Sequence, residues 1–311
     1  MKIINGITNF AAPSAPVALT LGFFDGVHVG HQALLASLVS LARAKGAVPV
    51  VLTFDSHPFR VVMPDKLPPM IMTVTERIAL IEELGVDTVI VQPFDELLSS
   101  MSATDFLHDL VLARLHAAVI VCGYDTHFGR NREGTHDFLR AHAAHDGFEL
   151  HETSPRVMDG QTVSSTGIRE AIQEGAFSRA ADWLGRPWSL WARVTEGCGI
   201  GRTMGFPTAN LDVGYLVLPR EGIYAAHVLL GDTRHKGAMY VGRRPTFVPK
   251  AGHLVCEVYI AGFSADIYNE WIRVEPAAFI RPDMQCASTD DLRAQIARDV
   301  ARASSILEQS P

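Results

Sequence analysis

The sequence predicts two folds in succession: an α/β unit on a parallel sheet, then a small antiparallel β-barrel with a C-terminal helix. Over residues 17–150, short and nearly continuous apolar runs alternate with longer amphipathic stretches. Runs of that kind read as strands buried on both faces, and regular β–α alternation points to a parallel sheet with right-handed crossovers. After about residue 186 the rhythm changes to short β-like pieces separated by Gly, Pro and Asp/Asn clusters, which is the pattern of a small barrel. The length of 311 residues fits about two domains, placed at 1–186 and 187–311.

In the first half the expected strands are Val17–Leu21, Val48–Phe54, 88–91 and 119–122, each rich in Val, Ile or Leu. Helices are expected near 31–45, 75–84, 103–115 and 135–145, with Gly46, Gly85 and Gly147 where helices should stop. Residues 183–191 hold Gly185, Pro187 and two flanking tryptophans and read as a packed linker. Beyond it, strands are expected at Leu190–Thr195, 223–230, 236–241, Leu254–Ile260 and 271–275, and a helix at about 289–307. No internal repeat is evident.

Composition narrows the function classes. Hydrophobic residues are 48% and charged residues 20%, ordinary for a globular chain and too apolar for disorder. Lys+Arg is 27 against Asp+Glu 34, a net charge of -7 with no basic stripe, so no nucleic-acid partner is expected. The cysteines at 122, 198, 256 and 286 form no CxxC pair, which argues against structural zinc and fits a reduced, cytoplasmic setting. The N-terminus reads as a poor signal peptide, and no apolar run reaches about 18 residues, so no membrane span is expected.

The most informative stretch is Gly22-Phe-Phe-Asp-Gly-Val-His-Val-Gly-His31, set between the first buried strand and the first helix. Such a strand–turn–helix junction binds anions through backbone N–H groups and the helix dipole. Gly22, Gly26 and Gly30 allow close backbone approach to a phosphate, and His28 and His31, three apart, can share a face and donate to a polyphosphate. For HxGH alone, two surface histidines beside a tight turn is an equal reading. The GxxxxGK[ST] pattern is absent and the glycine spacing does not fit GxGxxG, so phosphate binding here is not P-loop chemistry.

This stretch resembles the signature of HxGH nucleotidyltransferases and, more narrowly, the FMN adenylyltransferase module of the prokaryotic bifunctional riboflavin kinase/FAD synthetase family. Thr53-Phe-Asp-Ser-His-Pro58 resembles that family's TFDPHP, Cys122-Gly-Tyr-Asp-Thr-His-Phe-Gly129 its VGxDFxFG, and Ser164-Ser-Thr-Gly-Ile-Arg169 its SSTxIR. The resemblance implies a Rossmann-like nucleotidyltransferase fold. It implies nucleotide binding by Gly22, Phe24, Asp25, Gly26, Gly30, Ser164, Ser165 and Thr166, catalysis by His28, His31 and Arg169, and flavin binding by Phe54, His57, Pro58, Asp125 and Phe128. Physically, Ser164, Ser165 and Thr166 offer N-cap hydroxyls ahead of a helix, and Arg169 one turn in can clamp phosphates; an ordinary capped helix with a solvated Arg is the plain alternative. Asp125 and Phe128 follow a buried strand, at the end where open α/β sheets bind ligands, although Asp125 could equally be a turn residue. His142 and His145 read as a solvated helix face, and His108, His116 and His136 form no ligand constellation.

In the second half, Gly197-Cys-Gly-Ile-Gly201-Arg-Thr-Met-Gly205 is a dense glycine loop leading into Phe206-Pro-Thr-Ala-Asn210. Thr208 and Asn210 flank Ala209, so in an extended segment both point to one side, and their oxygens suit Mg²⁺ held between phosphates; a hairpin turn with a polar strand is the plain alternative. GRTxGFPTAN resembles the riboflavin kinase module of the same family, as do Gly222-Ile-Tyr224 and Arg244-Pro-Thr-Phe247. The resemblance implies nucleotide binding by Gly197, Gly199, Gly201 and Thr203, Mg²⁺ at Thr208 and Asn210, flavin binding at Arg281, and Glu257 as the base for the ribityl 5′-hydroxyl. Tyr240, Tyr259, Asn269 and Cys286 depart from the family pattern on the barrel wall and the flavin-side flap.

The leading expectation is an enzyme that phosphorylates riboflavin to FMN and adenylylates FMN to FAD, with ATP as co-substrate, Mg²⁺ as cofactor and pyrophosphate released. An adenylyltransferase whose barrel only binds flavin is the alternative, and a nucleotidyltransferase for another phosphate-bearing acceptor is a third. Riboflavin, FMN and ATP are the expected partners, with no membrane; a homo-oligomer is allowed but not specified.

Overall fold

A computed structural model describes residues 1–197, 200–243 and 254–309. The chain divides into two compact units: Met1–Pro68 with Thr73–Ser165, and Pro69–Met72 with Thr166–Pro311.

The first unit is built on six parallel strands: β1 (Lys2–Asn5), β2 (Val17–Leu21), β3 (Val48–Phe54), β4 (Thr88–Gln92), β5 (Ala117–Gly123) and β6 (Glu149–Thr153). Their order across the sheet is β1-β4-β3-β2-β5-β6. The four strands expected from apolar runs form its interior. β1 and β6, the two edges, were not expected, because sequences such as Glu149-Leu-His-Glu-Thr153 carry too few apolar residues to read as buried strands. A small hairpin of β7 (Val157–Met158) and β8 (Gln161–Thr162) follows.

α1 (Val29–Lys45) buries Leu34, Leu35, Leu38, Val39 and Ala42, a single stripe at helical spacing. It stops at Gly46, whose left-handed backbone (φ 61°) lets its N–H reach the carbonyls of Ala42 and Arg43. Short α2 (Phe59–Val62) precedes α3 (Val74–Glu83), which opens on a complete capping box between Thr73 and Glu76. After α4 (Glu96–Ser100), the helix expected over 103–115 is one turn of α5 (Ala103–Asp105) continued by a π-wound stretch, Phe106–Arg114. The wider winding still buries Phe106, Leu107 and Val111 in the core that holds Leu19, Leu52 and Ile120. α6 (His136–Asp146) ends at Gly147 in the same left-handed cap.

The second unit contains α7 (Ser165–Glu174), α8 (Phe177–Leu184), β9 (Leu190–Thr195), α9 (Ile200–Thr203), β10 (Thr208–Asp212), β11 (Gly222–Leu230), β12 (Thr233–Arg243), β13 (Leu254–Ile260), β14 (Trp271–Arg281) and α10 (Thr289–Gln309). The strands close into an antiparallel barrel in the order β10-β13-β12-β11-β14-β9. Residues 183–191, expected as a linker, are partly the end of α8, with Trp183 and Trp188 buried. β14 runs six residues beyond the expected 271–275, because Pro276 sits beside a register shift of the β11–β14 ladder where its missing N–H is tolerated.

Barrel strands alternate cleanly. Cys256, Val258 and Ile260 point into the core while Glu257 and Tyr259 face out. α10 covers part of the outer wall, packing Ala303 and Leu307 on Ala225. The segment Pro69–Met72 joins this unit through Met70, whose N–H donates to Tyr215 O (2.8 Å) and whose carbonyl accepts from Val217 N (2.7 Å).

One ion pair ties β14 to α10. Arg281 donates from Nε to Asp299 Oδ1 (2.9 Å) and from Nη2 to Oδ2 (2.6 Å), and Gln295 also donates to Asp299 Oδ1 (2.8 Å). Asp299 is only 5% exposed, so removing it would strand a fixed guanidinium. Asp299→Ala should therefore lower stability by roughly 3 kcal/mol, read by urea denaturation. A loss under about 1 kcal/mol would mean that the pair is no clamp.

Candidate functional site

In the sheet, β3, β2 and β5 are consecutive neighbours, and the strand order reverses between β2 and β5. Open α/β sheets bind ligands beyond the carboxyl ends of their strands at such a reversal. The turn 22–31 leaves β2, the turn 55–58 leaves β3, and the loop 124–129 leaves β5. Three of the four motifs expected in this half therefore hang side by side from one end of one sheet.

The turn after β2 is strained. Phe24 (φ 58°) and Val27 (φ 40°) both adopt left-handed backbone, as does Gly26 (φ 88°). For a β-branched residue that conformation costs of order 1–3 kcal/mol and clusters at functional sites. The turn is held by Val27 N–H to Phe24 O (3.1 Å) and by Gln32 Nε2 to Val27 O (2.8 Å). Gly22 is required because a Cβ there would press on the Phe24 ring at 2.9 Å.

His28 caps α1: its Nδ1 accepts the N–H of His31 (3.3 Å). That capping turn brings the two imidazoles into a stack, 3.6 Å between centroids and 16° between planes, with Phe24 edge-on to His31. A Cβ at Gly30 would meet the His28 ring at 3.1 Å, so Gly30 makes room for the stack. His31 Nδ1 is inaccessible to solvent and has no hydrogen-bond partner. Burial, then the neighbouring His28, then Arg77 hold its pKa well below the ordinary histidine value. Asp25, within the turn, is buried (4% exposed).

On the turn after β3, Phe54 is buried edge-on to Phe94, and His57 stands edge-on to Phe23 while its Nδ1 accepts from Phe59 N (3.0 Å). Pro58 occupies the cap position of α2. On the loop after β5, Asp125 is exposed, and Phe128 is instead a core residue between Phe106 and Phe138.

Ser164, Ser165 and Thr166 were expected ahead of a helix. α7 already begins at Ser165, so Ser165 and Thr166 lie within its first turn. The Ser165 hydroxyl donates to Asp25 O (2.8 Å). In the second unit, Arg169 is 9% exposed and donates from Nε to Pro69 O (2.7 Å). The solvated-Arg alternative is thereby removed.

The barrel carries the second set. Thr208 and Asn210 both face outward on β10; the Thr208 hydroxyl donates to Glu257 Oε2 (3.0 Å), and Asn210 is the register partner of Glu257. Glu257 is in turn paired with Tyr240 on β12, whose hydroxyl donates to Asp283 Oδ2 (2.9 Å). A Cβ on Gly197 would collide with the Asn210 amide, and one on Gly201 with Phe206 O, so both glycines serve close packing of the loop on β10. Thr203 ends α9. Gly199, Cys198 and the 244–247 motif lie outside the described residues. Arg281, expected on the flavin side, is the partner of Asp299 described above.

Two residues that the sequence reading did not single out belong to these arrangements: Arg77, buried at 2% exposure beside the first turn, and Asp283, on Tyr240. An Arg in a helix and an Asp in a loop normally read as solvated, and no local pattern marked either one.

The two units define a class: an HxGH-bearing α/β domain joined in one chain to a six-stranded barrel. Residues 11–167 match the FAD synthetase family model and residues 184–307 the riboflavin kinase family model. Bifunctional riboflavin kinase/FMN adenylyltransferases are similar along nearly the whole chain. That of Escherichia coli (strain K12) is 36% identical over 301 residues, covering 96% of each chain, and that of Haemophilus influenzae is 35% identical over 304 residues, covering 97% of this chain and 98% of its own. A crystal structure titled as a macrolide-efflux protein from Streptococcus pneumoniae superposes with a TM-score of 0.83 at 29% identity, covering 96% of this chain and 97% of the other. Among the described residues, no helix is long and apolar enough to cross a membrane. The chain belongs to the bifunctional riboflavin kinase/FMN adenylyltransferase family.

The environment of His31 makes a pH prediction. Its folded pKa is depressed, so the folded state binds its proton less readily than the unfolded chain. That contribution is neutral above the unfolded value near 6.5 and becomes destabilising as pH falls below it. An NMR titration should show His31 still neutral at pH 6, while exposed histidines titrate. A midpoint at the ordinary value would mean that the imidazole is solvated.

Proposed function

We propose that the chain phosphorylates riboflavin with ATP to give FMN and then adenylylates FMN with a second ATP to give FAD and pyrophosphate. The observation that carries this reading is the coexistence in one chain of a stacked His28–His31 pair at a parallel-sheet reversal and a Thr208–Glu257 hydrogen bond on a barrel wall. The corresponding functional domains are 1–186 and 187–311.

In the adenylyl transfer, an FMN phosphate oxygen forms a bond to the α-phosphorus of ATP as the bond to the bridging oxygen of pyrophosphate breaks. Backbone N–H groups of the turn 22–31 and the start of α1 face the triphosphate. His31, held neutral, donates a hydrogen bond that strengthens as negative charge grows on the leaving phosphates. Asp125, His57 and Pro58, on the neighbouring turns, are assigned to the flavin side. By resemblance, Arg169 clamps phosphate, and Gly22, Phe24, Asp25, Gly26, Gly30, Ser164, Ser165 and Thr166 shape the nucleotide side.

In the phosphorylation, Glu257 orients the ribityl 5′-hydroxyl and accepts its proton while the oxygen attacks the γ-phosphorus and ADP leaves. Gly197, Gly201 and Thr203 shape the loop that receives the nucleotide. The hydroxyl of Thr208 and the amide oxygen of Asn210 are hard donors on one face next to Glu257, a set that fits Mg²⁺ carried in with the triphosphate. When bound, the ion neutralises charge on the transferring phosphoryl group. A cytoplasmic setting and a homo-oligomer are compatible with this reading.

A second reading is favoured by Tyr240. Its hydroxyl is held by Asp283 on the Glu257 face, where the family usually has Asn, and on this reading the barrel binds flavin without phosphorylating it. Supplying riboflavin and FMN in separate reactions with ATP and Mg²⁺ separates the two readings. Both FMN and FAD from riboflavin support the first, FAD from FMN alone supports the second, and neither product from either substrate defeats both.

His31→Ala should lower the rate of FAD formation by about 10²–10³-fold while leaving riboflavin phosphorylation within twofold of the parent. Glu257→Gln should do the reverse, cutting FMN formation by about 10²–10⁴-fold and sparing adenylyl transfer. Product chromatography on the two substrates reads both outcomes. An equal loss of both activities in either variant would point to misfolding instead of chemistry.

A further inference from the structure

Arg77 is the most deeply buried cation among the described residues, and nothing in the reaction as derived above uses it. It lies in the first half of α3, just past the capping box, with its N–H on Thr73 O (3.1 Å). Its side chain reaches two different turns. Nη1 donates to Phe23 O (2.7 Å), in the turn after β2, and Nη2 donates to Phe54 O, at the end of β3. The guanidinium lies 4.3 Å over the Phe23 ring, which also packs T-shaped with His57, 4.8 Å between centroids. Thr53 Oγ1 adds a third link to Phe23 O (3.3 Å).

This is an expensive way to fill a core. Burial pulls the guanidinium pKa down to about 10, against the opposing pull of Asp25 and Asp55. Arg77 Nε is buried with no partner. A buried charge on two carbonyls, with one N–H unsatisfied, is less stabilising than an apolar side chain of similar volume. Its geometry nevertheless does what an apolar side chain cannot: a planar fork fixes a carbonyl of the turn after β2 and the last carbonyl of β3 at one separation.

We propose that Arg77 is a positioning residue for adenylyl transfer, bracing the phosphate-side turn 22–31 against the flavin-side turn 53–58 so that the FMN phosphate and the α-phosphorus of ATP meet in line. The inference rests on the adenylyl-transfer reading. Displacing reacting groups by about 1 Å can cost about 10²-fold in rate, which is the magnitude at stake in such a brace. Arg77 also adds positive charge near His31. The groups that face His31 are His28, stacked on it from the helix cap, the Phe24 ring, and Arg77 from α3; Asp25 and Asp55 face Arg77.

The test uses the full-length chain and the variants Arg77→Met and Arg77→Lys, with riboflavin phosphorylation as the internal control of folding. Arg77→Met should lower kcat for FAD formation about 10²-fold, leave KM for ATP within threefold, and move the acid limb of the pH–rate profile to higher pH. Arg77→Lys keeps the charge without the fork, so it should leave the acid limb in place and restore only part of kcat. Parent-like kcat in Arg77→Met would overturn the proposal. So would a loss in both variants with an unmoved acid limb, because that is what a packing role gives. If Arg77→Met does not fold, Arg77→Lys decides alone: a tenfold or larger loss of kcat for FAD formation with KM for ATP and riboflavin phosphorylation both unchanged supports the brace, and parent-like kcat, or a loss shared by both activities, overturns it. Failure of the unsubstituted protein to make FAD would instead defeat the underlying reading, and the proposal with it.

Discussion

The reversal of strand order between β2 and β5 is the constraint on which the first unit depends. Connections from β2 to β3 to β4 build the sheet in one direction, and β5 then returns to the free side of β2. At that point the crossover helices must part, and the carboxyl ends of β3, β2 and β5 open side by side. Each of those strands is nearly continuous in apolarity and buried on both faces, so its register and height in the sheet are strongly fixed. The turns they carry inherit that rigidity. The strained conformations at Phe24 and Val27 can persist because strand and helix hold both ends of the turn.

The barrel solves a different problem. One face of its strands, including the fully buried Tyr224, Met239 and Val258, points into the barrel core. The residues assigned to the proposed phosphorylation face outward. Thr208, Asn210, Glu257 and Tyr240 all occupy that outer face on three adjacent strands, β10, β13 and β12. Their spacing is set by ladder register, in which directly opposed residues lie about 5 Å apart, instead of by loop conformation. Gly197 and Gly201 then let the preceding loop lie directly on β10.

Much of this was legible in the sequence, for identifiable reasons. Interior parallel strands announce themselves because both faces must be apolar, and helix ends because Gly46 and Gly147 supply left-handed caps. The edge strands β1 and β6 were not legible, since a strand with one partner needs little apolar surface. The full length of β14 was hidden by Pro276, a residue that argues against a strand until a bulge is found beneath it. Local reading located the HxGH turn and the outward pair Thr208 and Asn210. It assigned Phe128 to the ligand side, but in the fold that ring lies in a cluster of aromatic core residues, a long-range fact. Arg77 and Asp283 were invisible for the same reason: their partners are 54, 23 and 43 residues away along the chain.

The charge balance of the molecule bears on how it would handle its phosphates. A chain of net charge -7 without a basic stripe does not attract ATP by a broad positive field. The first-unit turn offers instead the N-terminus of α1, backbone N–H groups and a partly buried imidazole kept uncharged by desolvation and by two neighbours. In the proposed reaction such donors bind ground-state triphosphate only modestly. Their hydrogen bonds strengthen as the bond to pyrophosphate breaks and charge moves onto oxygens already facing them. A fixed cation in the place of His31 would hold substrate and transition state more evenly, and would raise affinity with less gain in rate. In the proposed reaction, the desolvated Nδ1 of His31 and its stack on His28 keep that imidazole neutral, which would direct binding energy toward the moment of transfer.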